Sequence, residues 1–174
     1  GNQVPVTAGQ TEVKVEVDSF PDTIDEADEV FSIGVSRVVS GTVGAVSDTG
    51  TGTIIDDDPA PTVSIGDASQ TEGGQLIFDV TLSNASGGNV VLDLATTGVT
   101  ASGGNDFETT GFRYSTDGST WTDANNGTEV AIAAGQTAIQ VEVDSLSDST
   151  DETNETLTLA VSSVVSGTVG AFTD

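Results

Sequence analysis

This chain repeats itself, and that limits its possible folds more than any other feature. The Ala-Gly-Gln-Thr run of residues 8–11 recurs at 134–137, Val-Glu-Val-Asp-Ser of 15–19 recurs at 141–145, and residues 38–45 recur at 164–171. The offset is 126 residues throughout without a gap, and residues 8–48 and 134–174 share 24 identities in 41 positions. Such a period marks units laid down in tandem. Residues 1–58 then read as the C-terminal half of one module. Residues 59–174 read as the next module, nearly complete but lacking its last strand, since residues 49–58 have no counterpart after Asp174. The chain begins mid-pattern without a methionine and is expected to be an excerpt.

Inside the repeat the hydrophobic pattern has the period of β-strands. Residues 12–17 (Glu-Val-Lys-Val-Glu-Val) alternate apolar and polar, as a half-buried strand should. Further strands are predicted at 30–35, 76–82, 90–94, 139–143 and 156–161, with Thr53, Ile54 and Ile55 ending another. Glycine- and asparagine-rich clusters at 86–89, 103–105 and 125–127 separate them as turns. No helical stripe is present. Short strands, frequent turns and many β-branched residues point to an all-β chain of antiparallel sandwiches. Residues 111–128 add a hairpin whose tight turn is Asp117-Gly118. Tyr114 and Trp121 flank that turn, either as a cross-strand aromatic pair or as a platform on which a sugar could stack.

Charge excludes whole classes of function. The chain carries 28 acidic groups against three basic ones (Lys14, Arg37, Arg113), a formal net charge of −25. Nucleic acid and anionic membrane surfaces both require clustered Lys and Arg. No apolar run approaches the roughly 18 residues of a membrane-spanning helix, so membrane insertion is not expected. Cysteine, histidine and methionine are all absent. That removes disulfides and the nitrogen and sulfur ligands preferred by zinc, copper and haem iron. Oxygen-only ligand sets suit hard cations, calcium above all.

The acids fall at particular places. Asp22, Asp25, Glu26 and Glu29 follow the first alternating strand, and Asp148, Asp151, Glu152 and Glu155 hold the same relative positions in the second copy. Asp56, Asp57 and Asp58 stand in a row before Pro59 and Pro61, which enforce an extended exit. Adjacent carboxylates repel, by about 4 kcal/mol per pair at ~4 Å and an effective dielectric of about 20. The cluster must therefore be well solvated or hold a cation. Glu72 sits in a Thr-Glu-Gly-Gly turn before a strand, and Asp106 follows Gly103, Gly104 and Asn105, where glycine lets backbones approach. No histidine, cysteine or nucleophile elbow accompanies these acids, so an enzyme is not expected. No helices flank them either, as an EF-hand would require.

Taken together, Thr-Glu-Gly-Gly at 71–74, Gly-Asn-Asp-Phe at 104–107, Asp-x-x-x-Glu-x-x-Glu before an apolar strand and Gly-Thr-Ile-Ile-Asp-Asp-Asp-Pro at 52–59 resemble Calx-β domains. These are calcium-binding immunoglobulin-like sandwiches of sodium–calcium exchangers and of large bacterial surface adhesins. The period and the Tyr-Ser-Thr-Asp-Gly-Ser-Thr-Trp insert at 114–121 resemble the extender repeats of bacterial repeats-in-toxin (RTX) adhesins.

The resemblance implies tandem antiparallel immunoglobulin-like β-sandwiches on the bacterial cell surface, with Ca2+ as the bound ion. Its ligands would be Glu72, Asp106, Asp148, Glu152 and Glu155, with Asp22, Glu26 and Glu29 in the preceding copy. Asp56, Asp57 and Asp58 would complete a clamp where modules meet. The implied function is a calcium-stiffened structural extender repeat of a large adhesin, its partners being neighbouring modules of the same protein. The alternative is a self-assembling extracellular filament subunit whose copies join by strand addition, because residues 51–56 carry the strand that 59–174 lack.

Overall fold

The computed structural model describes residues 3–46 and 48–173. Gly1, Asn2, Ser47 and Asp174, all part of the two expected modules, lie outside the described residues. Among the described residues there is no helix, and the regular structure is 13 strands. The chain divides into two units, Gly1–Asp22 with Ala27–Asp56, and Thr23–Glu26 with Asp57–Asp174.

In chain order β1 (Ile24–Asp25) belongs to the second unit, while β2 (Glu29–Gly34) and β3 (Thr49–Ile54) form the regular part of the first. β2 and β3 run antiparallel, from Glu29 opposite Ile54 to Gly34 opposite Thr49. Every residue of β2 is exposed. The alternating run at 12–17, expected as a strand, is not one: Val13, Val15 and Val17 are 46%, 54% and 57% exposed. A strand exists only through ladder bonds to a neighbour, and no described segment of this unit pairs with that run.

The second unit continues with β4 (Thr62–Ile65), β5 (Gln75–Leu82), β6 (Ala85–Ser86), β7 (Val90–Gly98), β8 (Gly111–Ser115), β9 (Thr122–Asn125), β10 (Glu129–Ile132), β11 (Ala138–Asp144), β12 (Leu157–Ser166) and β13 (Ala171–Thr173). Two sheets dominate, a six-stranded one in the order β13-β4-β5-β11-β8-β9 and a three-stranded one in the order β10-β7-β12. Within them every pairing is antiparallel except β13 on β4. β1 and β6 form a separate two-residue parallel pair.

The period-two pattern explains the layering. Val90, Leu92 and Leu94 point from β7 to one side, Val130 and Ile132 join them from β10, and all five are fully buried. From the other sheet come Phe78, Val80 and Leu82 of β5 and Ile139, Val141 and Val143 of β11. These side chains form one hydrophobic cluster, each fully buried branched residue being worth about 1.5–3 kcal/mol. The unit thus has the character of a β-sandwich. On the outer face of β11, Glu142 is buried and pairs with Arg113, its register partner on β8.

The predicted hairpin at 111–128 is β8 and β9. Its turn is held by Asp117, whose Oδ1 accepts from the backbone N–H groups of Ser119 (2.8 Å) and Thr120 (2.6 Å) and from Ser115 Oγ (3.0 Å). These donors, the backbone N–H of Thr120 foremost, hold the Asp117 carboxyl well below the usual carboxylate range. The register sets Tyr114 opposite Thr122, so Tyr114 and Trp121 are not the direct cross-strand partners that the sequence suggested. Tyr114 packs instead against the core.

Candidate metal centre

Strand register brings three loops to one end of the second unit. Gln75, which opens β5, lies opposite Asp144, which closes β11. Gly98, which closes β7, lies opposite Leu157, which opens β12. The turn at 71–74, the loop at 102–108 and the loop at 145–156 therefore emerge together. They carry all five acids that the resemblance singles out in this module.

Asp106 is the most firmly placed. Its backbone N–H donates to Ser102 O (2.9 Å), its carbonyl accepts from Leu146 N (2.8 Å), and its Oδ2 accepts from Ser102 N. Gly104, at φ +84°, makes the turn, and its N–H donates to Phe107 O (2.9 Å). Phe107, 3% exposed, pins the loop into the core beside Asp106. Ser145 ties the neighbouring turn down. Its Oγ donates to Gly74 O (2.8 Å) and accepts from Gly74 N (3.1 Å), while its own N–H donates to Gly74 O (2.9 Å). Glu72 rides on that turn. Sequence reasoning did not single out Ser145, although its recurrence as Ser19 in the repeat was a signal.

Asp106, Glu152 and Glu155 each offer a carboxylate oxygen, and these oxygens all lie within 4.8 Å of one another. Two oxygens each at about 2.3–2.6 Å from one ion stand at most about 4.6–5.2 Å apart, so this spacing is compatible with a shared ion. Charge has accumulated there. Glu155 titrates above its ordinary value, first through a hydrogen bond with Asp106 and then through desolvation and the charges of Asp106, Glu152 and Glu72. Glu152 is raised as well, by desolvation first and then by Asp148, Asp106 and Glu72. Glu72 and Asp148 are thus close enough to act on the trio electrostatically. Asp148 also accepts from Thr150 N at 2.6 Å, shaping its loop.

The remaining acids of the expected set do not join this group. Asp22, Glu29 and Asp56 lie in the first unit, and Glu26, Asp57 and Asp58 in the second. Glu29 opens β2, and the backbone N–H of Asp56 donates to Asp28 Oδ1 at 3.1 Å. Among the described residues, the trio is the one cluster of three or more acids close enough to share an ion. The reason is topological: Asp106 reaches Glu155 from a loop that precedes the repeated segment. An all-carboxylate donor set fits a hard divalent cation and is a poor match for soft or nitrogen-seeking metals.

No protein-family model, curated protein or solved structure matches this chain.

Proposed function

We propose that the chain is a calcium-stiffened structural extender repeat of a large bacterial cell-surface adhesin, built from immunoglobulin-like sandwiches of the Calx-β kind and working outside the cell. The observation that carries this reading is the convergence of Asp106, Glu152 and Glu155 within 4.8 Å. Each comes from a segment where the sequence resembles that family. The tandem repeat and the all-β character support it further.

The mechanism is electrostatic and involves no chemistry on a substrate. Without metal the clustered carboxylates repel, and this repulsion works against the hydrogen bonds that tie the loops at 71–74, 102–108 and 145–156 together. A calcium ion shared by Asp106, Glu152 and Glu155, with Glu72 and Asp148 beside them, would hold the three loops as one rigid end. Binding to the folded form also stabilises it by mass action.

Thermal unfolding with calcium and with a chelator tests the reading. Calcium is expected to raise the melting temperature by several degrees, and Glu155→Gln to remove most of that rise. The substitution Glu29→Gln, at the equivalent position of the first copy, is expected to leave the rise intact. An identical melting temperature with and without calcium would overturn the proposal.

A further inference from the structure

The turn at 126–128 carries the chain from β9, in the six-stranded sheet, to β10, in the three-stranded one. It contains Asn126-Gly127, and no other asparagine of the chain is followed by glycine. Such a dipeptide is chemically vulnerable. The backbone nitrogen of the second residue can attack the side-chain carbonyl carbon of the first, and a glycine, having no Cβ, leaves that approach open.

The fold restrains both reacting groups. Asn126 Oδ1 accepts from Thr96 N (3.0 Å) and Thr96 Oγ1 (3.2 Å), and Asn126 Nδ2 donates to Thr109 O (3.3 Å). These neighbours also fix which way the amide faces, since a backbone N–H needs an acceptor and a carbonyl needs a donor. The nucleophile is held as well, Gly127 N donating to Leu94 O at 3.2 Å. Asn125 N donates to Thr128 Oγ1 (2.9 Å) and Thr128 N to Asn125 O (2.8 Å), which closes the turn. For attack, Gly127 N must leave Leu94 and the Asn126 side chain must leave Thr96 and Thr109. Asn126 itself is exposed, so water is at hand once the turn has opened.

We propose that Asn126 is a deamidation site that the fold keeps dormant and that reacts when the 125–128 turn opens. A bond forms between Gly127 N and Asn126 Cγ, and the bond from Cγ to Nδ2 breaks. Nδ2 leaves as ammonia, taking the amide proton of Gly127. The cyclic imide then adds one water, which opens either of its two C–N bonds. One opening gives aspartate in an ordinary backbone, and the other gives isoaspartate, whose backbone runs through the side chain. The sequence of steps needs no oxidant and no reductant.

The product cannot close the turn as before. A carboxylate has no hydrogen to give to Thr109 O, and it adds a charge to an acidic corner. Asp93 lies opposite Glu129 in the β7–β10 register. Asp93 Oδ1 is buried without a hydrogen-bond partner, 3.9 Å from where a Cβ on Gly127 would sit. Each opening that ends in reaction is therefore recorded permanently. Asp117-Gly118 behaves otherwise. Its carboxyl is held by Ser119, Thr120 and Ser115 and stays ionised, and a carboxylate resists attack at its carbon. The calcium reading is not needed for any of this.

The full chain is incubated in mildly alkaline buffer, folded or unfolded in guanidinium chloride, and peptide mass mapping follows the conversion of Asn126. Conversion in the folded chain is expected to be at least ~10-fold slower than in the unfolded one. Equal rates, or faster conversion in the folded chain, would overturn the inference. Thr96→Val removes one of the two bonds to Oδ1 and should speed conversion in the folded chain several-fold, with the unfolded rate unchanged. A folded rate that Thr96→Val leaves untouched would equally overturn it. Asn126→Asp, the ordinary-backbone product, should melt several degrees below the wild-type chain, and Asn125→Asp clearly less so; equal drops would refute the permanent record. Calcium-dependent melting reads the preceding proposal separately, so either can fail while the other stands.

Discussion

Residues 8–46 and 134–172 are two copies of nearly one sequence, and they end up in different structures. Their turns agree. Gln10 N donates to Thr7 O at 2.9 Å, and Gln136 N donates to Ala133 O at 2.9 Å. The glycine before each takes a left-handed conformation, φ +90° at Gly9 and +76° at Gly135. The strands that follow do not agree. Ile139, Val141 and Val143 are at most 2% exposed in β11, whereas Val13, Val15 and Val17 are about half exposed and form no strand. Turns are encoded by a few adjacent residues, glycine above all. A strand is a property of the pair, and β11 exists because β5 and β8 flank it. Among the described residues, the first copy has the same pattern without such neighbours.

The largest effect that would break this comparison is in amide exchange. The backbone amides of β11 are expected to exchange at least ~1,000-fold more slowly than those of residues 12–17 in the same chain. Comparable protection in both copies would mean that residues 12–17 have found a partner strand after all. Next in size is a pair of truncations. Ile139→Ala should cost about 2–5 kcal/mol in urea unfolding of the second unit, and Val13→Ala, its positional equivalent, less than about 0.5 kcal/mol.

A smaller contrast concerns the loops. Ser145→Ala removes the hydroxyl that ties the 71–74 turn to β11 and should cost about 1 kcal/mol, against no measurable loss for Ser19→Ala. The smallest is a pH slope. Glu152 and Glu155 titrate above the ordinary glutamate value of 4.5 in the folded chain. The folded state therefore holds those protons more tightly than the unfolded one. The resulting stabilisation is complete below that value and is lost as pH rises through the raised ones. In chelator, the melting temperature should fall by a few degrees from pH 4.5 to neutrality, and replacing both glutamates by glutamine should flatten the slope. Asp117, whose carboxyl is lowered, acts in the opposite sense and only in more acidic solution.

Much of the second unit was legible because alternation and turn chemistry are local. β2, β5, β7, β11 and β12 fall on predicted runs, and the Asp117-Gly118 turn falls between β8 and β9. β4, β9 and β10 are four residues each, too short to show a period of their own. Burial of Val63 in β4 or of Val130 and Ile132 in β10 becomes visible only once the sheets are stacked. The acids of the candidate site stood out by composition, but their grouping did not. Asp106 meets Glu155 across 49 positions of sequence (155 minus 106) because β7 and β12 pair, and that pairing is a tertiary fact. Ser145 was hidden for the same reason, since its partners at 71–74 lie far back in the chain.

The ion pair between Arg113 and Glu142 has a consequence for the medium this protein needs. Arg113 is the sole lysine or arginine from Asp57 to Asp174, and it is already engaged on the outer face of its sheet. The other acids of that stretch must draw their neutralising charge from dissolved electrolyte. Sodium chloride alone should therefore raise its melting point, so calcium and magnesium have to be compared at equal ionic strength. By its charge balance, the unit is expected to melt lower in dilute buffer than in concentrated sodium chloride.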